Sequence, residues 1–233
     1  AAEGAPNGAV AVADEQTAGR GRRGRSFSSG AGRGVYLSAL LRPRLSPKKV
    51  LPLTALGAVA ACNAVERACG VRPQIKWTND LVLNGKKLSG TLTELSLEGE
   101  SGALDYAVIG IGVNCNNARE DFPPELRDIA TSLCLETGRR VCRAALAAAL
   151  IEELDGLYAA LQGGDTAAYL AAYRRDCLTL GREVQLLWQD AREKVTALDV
   201  DEQFGLVVRH EDGRVETVRT GEVSVRGLYG YVE

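Results

Sequence analysis

The chain has 233 residues, 45% hydrophobic and 25% charged, with 28 Lys and Arg against 30 Asp and Glu for a net charge of −2. That balance excludes a disordered chain and a generally basic binder of nucleic acid or membrane surface, and the length suits one large domain or a large and a small one. Apolar runs break well short of the roughly 18 residues a membrane span needs, so no span is expected.

Residues 1–8 read as a loop or frayed end, and Val10–Asp14 alternates like a short strand. The loop 17–34 follows, with glycines at 19, 21, 24, 30, 32 and 34, and Val35–Leu41 reads as a buried strand closed by Pro43. Ser46-Pro47 starts a helix that runs to Cys69 and stops at Gly70. Gln74–Trp77 is a strand, Asn84-Gly85 is a hairpin turn, and Lys87–Leu97 is the next strand. Tyr106–Val113 (YAVIGIGV) is apolar enough to be central in a sheet and ends at asparagines 114, 116 and 117. Cys142–Leu161 and Thr166–Cys177 are helices. After Gly181 the helical pattern stops, and short β-type runs at 183–188, 193–200, 206–210, 215–218 and 222–226 suggest a small barrel. The expected fold is α/β (α+β): a mixed sheet with helices on one side, residues 1–180, followed by an SH3-like barrel, residues 181–233.

The six cysteines form no C-x-x-C pair, and the single histidine, His210, has no cysteine at ligand spacing. The expectation is no zinc site and reduced thiols in a cytoplasmic protein, mostly buried as small apolar side chains. No methionine is present, so the chain starts either after a removed initiator or inside a longer protein.

Two polar clusters carry chemistry. The stretch 19-GRGRRGR-25 holds four arginines and three glycines with no acid among them. Arginine forks suit phosphate or carboxylate oxygens, and glycines let backbone N–H groups approach a ligand, so this loop is expected to order over a small anion. A solvated charge run or an RGG-like nucleic-acid contact is the other reading of these residues alone. The loop is not a Walker A sequence, and 110-GIGVNC-115 lacks the third glycine of the dinucleotide fingerprint G-x-G-x-x-G. The second cluster is 76-KWTNDLVLNGKKLSGTLTE-94, with Asn79 and Asp80 at a strand end and Lys87 on the strand after a hairpin. A carboxylate there can hold Mg²⁺ or ribose, and a lysine on a strand is a fixed point charge. Turn chemistry and a solvated hairpin would explain the same residues without a ligand.

Together, DEQTAGRGRRGRSF, KWTNDLVLNGKKLSG and IGIGVNCN, in this order and spacing, resemble a bacterial biotin protein ligase, the biotin–acetyl-CoA-carboxylase ligase. The resemblance runs from about Ala11 to the end and includes 219-RTGEVSVRGLYGY-231. It implies an ATP-dependent enzyme that makes biotinyl-5′-AMP and transfers biotin to a lysine of the biotin carboxyl carrier protein. It implies ATP, Mg²⁺ and biotin as ligands, no nucleic acid or membrane as partner, and a homodimer as one possible assembly. By motif, Gln16 contacts biotin, Arg20, Gly21 and Arg22 close over biotin and the adenylate, and Gly110 and Gly112 pass beneath biotin. Lys87 faces the biotin carboxylate and the α-phosphate, and Lys87, Arg22 and Asp80 form the catalytic set. Arg22, Arg23, Asn79, Asp80 and Asn114 lie toward ATP, Asp80 is the route to Mg²⁺, and Phe27, where the family often has tryptophan, covers adenine. Thr78 replaces the proline usual in K-W-P-N-D, and the family's upstream Ser-Thr-Asn strand has no counterpart. A biotin-binding module with little turnover, or a lipoate ligase relative, are the alternatives. The barrel is expected to position the carrier or close the site.

Overall fold

The structure is a computed structural model. It describes the whole chain except residues 22, 23, 25, 26, 28, 29, 189, 190, 220–223 and 228–233. Its first part is a six-stranded sheet built from β1 (Val10–Ala13), β2 (Gly34–Leu41), β3 (Gln74–Lys76), β4 (Asp80–Leu83), β5 (Lys86–Leu97) and β6 (Leu104–Asn114), in the order β1-β2-β6-β5-β4-β3. The apolar strand β6 is central, as its composition implies.

Every paired strand in this sheet is antiparallel, which corrects the mixed sheet expected from sequence. The reason is the connections. Tight hairpins join β3 to β4 and β4 to β5, and a short turn joins β5 to β6; such links force antiparallel neighbours. The one helical crossover, from β2 to β3, carries the chain past three strands to the far edge. β2 and β3 do point the same way, but they never pair. The Asn84-Gly85 turn adopts φ 48° and 78°, the positive values that a two-residue hairpin turn demands.

One face of the sheet is buried under helices. Val35, Leu37, Ala39 and Leu41 of β2 alternate inward beside Ala107, Ile109, Ile111 and Val113 of β6, all within the core. Against them lie α2 (Leu53–Cys69) and α4 (Arg143–Gly163), with α5 (Ala167–Asp176) beside β3. Each fully buried Ile or Leu in this seam contributes about 1.5–3 kcal/mol relative to exposure. At Gly57 of α2 an added Cβ would stand 2.5 Å from Ile109 Cδ1, so the missing side chain is what lets helix and sheet meet.

The helix expected from Ser46 to Cys69 is interrupted. A short α1 (Pro47–Val50) precedes α2, and Pro52, which has no N–H to donate, stands at the junction as the N-cap of α2. Gly70 closes α2 in the left-handed region and donates to Glu66 O. Contrary to the reading of its polar breaks, Pro47–Cys69 is long and apolar enough to cross a membrane. Yet 67% of its most apolar window is buried inside the fold, so it is a core helix. The small α3 (Leu133–Thr137), capped by Ser132, is too short to leave a periodic signal.

The second part is a five-stranded antiparallel sheet of β7 (Glu183–Trp188), β8 (Ala191–Val200), β9 (Leu206–His210), β10 (Val215–Val218) and β11 (Ser224–Gly227), ordered β10-β9-β8-β7-β11. The last strand returns beside the first, which leaves β10 and β11 at the two edges of the sheet. All six cysteines are free thiols, and burial pushes Cys115 up to about 12 and Cys177 up to about 11.

Candidate functional site

The face of the large sheet away from the helices holds the site. Strand alternation puts Ala13, Tyr36, Gly112, Gly90, Asp80 and Lys76 in one row across all six strands, each paired with the next. The adjacent row is Ala11, Ser38, Gly110 and Leu92. Gly110, Gly112 and Gly90 therefore form a floor with no side chains, where a flat ligand can lie against backbone.

At one end of this trough stand the three polar residues of the second motif. Lys87 Nζ is 2.7 Å from Asp80 Oδ1, and Asn79 Nδ2 donates to the same oxygen at 3.2 Å and to Thr91 O at 3.0 Å. Thr91 N donates back to Asn79 O at 3.0 Å, which ties the β3–β4 turn to β5. A register shift at Leu81/Val82 sets Lys87 opposite Val82, and Lys87 exchanges backbone bonds with Ile129 O and Thr131 N, both 2.8 Å. Both the backbone and the ammonium of this lysine are thus held. A Cβ on Gly90 would sit 3.5 Å from Lys87 Nζ, so the bare glycine backbone flanks the charge.

The arginine loop returns over the same face. Phe27 lies on Gly112, where an added Cβ would come within 2.6 Å of its ring. The ring meets Tyr36 edge-on at 6.4 Å, and Phe27 N donates to Gly19 O at 2.9 Å. Tyr36 is buried, its hydroxyl pushed up to about 12 by burial and donating to Gly30 O at 3.1 Å. Arg20 pairs with Glu94 of β5 at 3.1 Å. The loop has no acid of its own, but the sheet supplies one: the view of this charge as wholly unbalanced is corrected. Glu94 closes the quoted motif, yet nothing in its sequence context marks it as the partner of a residue 74 positions away.

The structure brings Lys87, Asp80, Asn79 and the glycines together and places Phe27 and Arg20 above them. Gly21 is half-buried within the loop, and Gln16 is exposed just beyond β1. Arg22 and Arg23 lie outside the described residues. Asn114 falls two residues after Gly112, on the trough side; it is buried and its amide donates to Thr131 O at 3.0 Å. Its Oδ1 has no partner among the described residues, which suits an acceptor awaiting a ligand donor. Among the described residues no group of three His, Cys, Asp or Glu could hold a metal ion. Sequence reasoning missed Tyr36, Gly90 and Glu94; Gly90 sat in view within KLSG, but only register puts it beside Lys87.

Comparison with known proteins identifies relatives of the chain. The model of the biotin/lipoate A/B protein ligase family matches residues 2–114. The bifunctional ligase/repressor BirA of Bacillus spizizenii is 46% identical over 140 residues, 60% of this chain and 42% of that protein. The biotin–[acetyl-CoA-carboxylase] ligase of Mycobacterium tuberculosis is 33% identical over 224 residues, 93% of this chain and 79% of its own length. Among solved structures, biotin protein ligase from Aquifex aeolicus in complex with biotin and ATP superposes with a TM-score of 0.82 at 30% identity, covering 96% of this chain and 91% of the other.

Proposed function

Because the chain belongs to the biotin protein ligases of the biotin/lipoate A/B protein ligase family, we propose that it activates biotin with ATP and transfers it to a protein lysine, that of the biotin carboxyl carrier protein of acetyl-CoA carboxylase. The observation that carries this reading is the lysine held at 2.7 Å by a carboxylate at the end of a glycine floor. In the first step a biotin carboxylate oxygen bonds to the α-phosphorus of ATP and the bond to pyrophosphate breaks. In the second the carrier lysine's nitrogen bonds to the biotinyl carbonyl carbon, the bond to AMP breaks, and the nitrogen loses a proton.

Two anions must meet in the first step, so fixed positive charge and positioning supply most of the catalysis. Lys87 is the fixed charge, aimed at the carboxylate and the α-phosphate, and Asp80 orients it. Gly110 and Gly112 carry biotin's rings, with Gln16 as a polar contact at the rim. Asn79 and Asn114 face the nucleotide, and Phe27 moves off Gly112 to cover adenine when the trough fills. Arg20, Gly21, Arg22 and Arg23 close over the mixed anhydride and keep water from it. Mg²⁺ would supply charge screening on the triphosphate, and Asp80 would be the carboxylate that holds it, a single protein ligand being compatible with a cation that keeps several waters. Residues 181–233 act as a C-terminal unit, and the enzyme works in the cytoplasm with its carrier, as a monomer or a homodimer.

ATP–pyrophosphate exchange tests this. Exchange that requires biotin and ignores lipoate is expected. Tight biotin binding without exchange would reduce the protein to a binding module, and exchange with lipoate would move it to the other branch of the family.

A further inference from the structure

The hairpin that presents Asn79 and Asp80 is gripped from outside the large sheet. Just before Asn79, the backbone N–H of Trp77 donates to Thr179 Oγ1 at 3.0 Å, and its indole Nε1 donates to Phe204 O at 3.0 Å. The Tyr173 hydroxyl donates to Thr78 O at 3.0 Å. Tyr173 and Phe204 meet edge-on at 5.3 Å and 85°. All of these residues are buried, Tyr173 completely.

The turn that delivers Phe204 is itself rigid. Phe204 sits at φ 60°, a left-handed conformation costly for an aromatic residue. Asp201 holds it there: its Oδ1 accepts from Gln203 N at 2.9 Å and Gly205 N at 2.8 Å, and Arg219 grips the same carboxylate at 2.6 Å. A Cβ on Gly205 would stand 2.5 Å from the Arg219 guanidinium, so the turn admits no other residue there without rearrangement. A small second sheet that only covered apolar surface would not need a backbone carbonyl aimed at an indole.

We propose that Tyr173 and the Asp201–Gly205 turn are positioning elements for the reaction, fixing the Trp77–Thr78 segment so that Asp80 stands where it holds Lys87. The chain of contacts is short. Tyr173, Thr179 and Phe204 fix residues 77 and 78, Asn79 follows directly, and Asp80 Oδ1 takes both Asn79 and Lys87. The role of Lys87 in adenylation rests on the ligase reading; the positioning of Lys87 does not.

The test uses the full chain and two readouts. Tyr173→Phe keeps the ring and its contact with Phe204 and removes only the hydroxyl. In the first readout, a trace of an amine-acetylating reagent is added and the rate at Lys87 is measured by mass spectrometry against its neighbour Lys86. The Lys87 to Lys86 ratio is expected to rise several-fold in the variant, and biotin-dependent exchange to fall roughly tenfold, the scale of one buried acceptor left unpaired. In an Asp80→Asn background the same substitution should add nothing to either readout, because its effect passes through Asp80. Thr179→Val gives a second variant if the first folds poorly. A lowered unfolding midpoint with an unchanged labelling ratio and unchanged exchange per folded molecule overturns the proposal, as do effects that multiply in the double variant. A wild-type protein that shows no biotin-dependent exchange removes the ligase reading alone, and the labelling ratio still decides the positioning role.

Discussion

At the residue scale the proposed reaction turns on one charge. Lys87 keeps its ammonium against Asp80, and that pair stands beside a floor of three glycines. Lys87→Ala removes the charge without touching the core, so folding should be unaffected while biotin-dependent exchange falls at least about a hundredfold, the scale of losing one preorganised electrostatic group. Exchange at wild-type rate in that variant would end the assignment. Asp80→Asn keeps a hydrogen-bond acceptor for Lys87 but removes the anion, and a smaller loss is expected. That Lys87 stands on the strand after the hairpin was legible from KLSG. That Gly90 completes the floor was not, because a glycine in a strand says nothing of which strands flank it.

At the scale of elements, the arginine loop and the β9–β10 hairpin each carry a testable contact. Arg20 and Glu94 are both largely exposed, with side-chain exposures of 72% and 49%, so their bond adds little stability, at most about 1 kcal/mol. Glu94→Gln should leave the unfolding midpoint unchanged yet speed tryptic cleavage at Arg20; equal cleavage rates would show that Glu94 does not hold the loop. In the second sheet the buried His210 bridges Glu193 of β8 and Glu216 of β10, the latter at 2.9 Å. Glu193 raises its pKa above 6.5, burial opposes the rise, and Glu216 adds to it. A folded-state pKa above the unfolded one adds stability that is complete below about 6.5 and is lost as pH climbs through the folded value. The unfolding midpoint should therefore drop with rising pH through that window, and His210→Gln should flatten the drop. A profile equally steep in the variant assigns the dependence elsewhere.

For the whole molecule, one buried cluster runs from Leu37 and Ile109 of the large sheet through Trp77 and Tyr173 to Phe204 and Val208 of the small one. We propose that residues 181–233 form a distinct unit that nevertheless melts with the rest. Calorimetry and tryptophan fluorescence should report one coincident transition. Two separated transitions would mean that the sheets are thermodynamically independent.

The amino-acid order alone determined the strands, the main helices, the hairpin turn at Asn84-Gly85 and the two charged motifs. Those features depend on near neighbours: alternation, caps and positive-φ turns act over a few residues. Strand direction, the shared glycine floor, the Glu94 partner of Arg20 and the grip of Phe204 on Trp77 were decided only in three dimensions. Each joins residues far apart in the chain, and no local periodicity encodes which distant backbone will lie alongside.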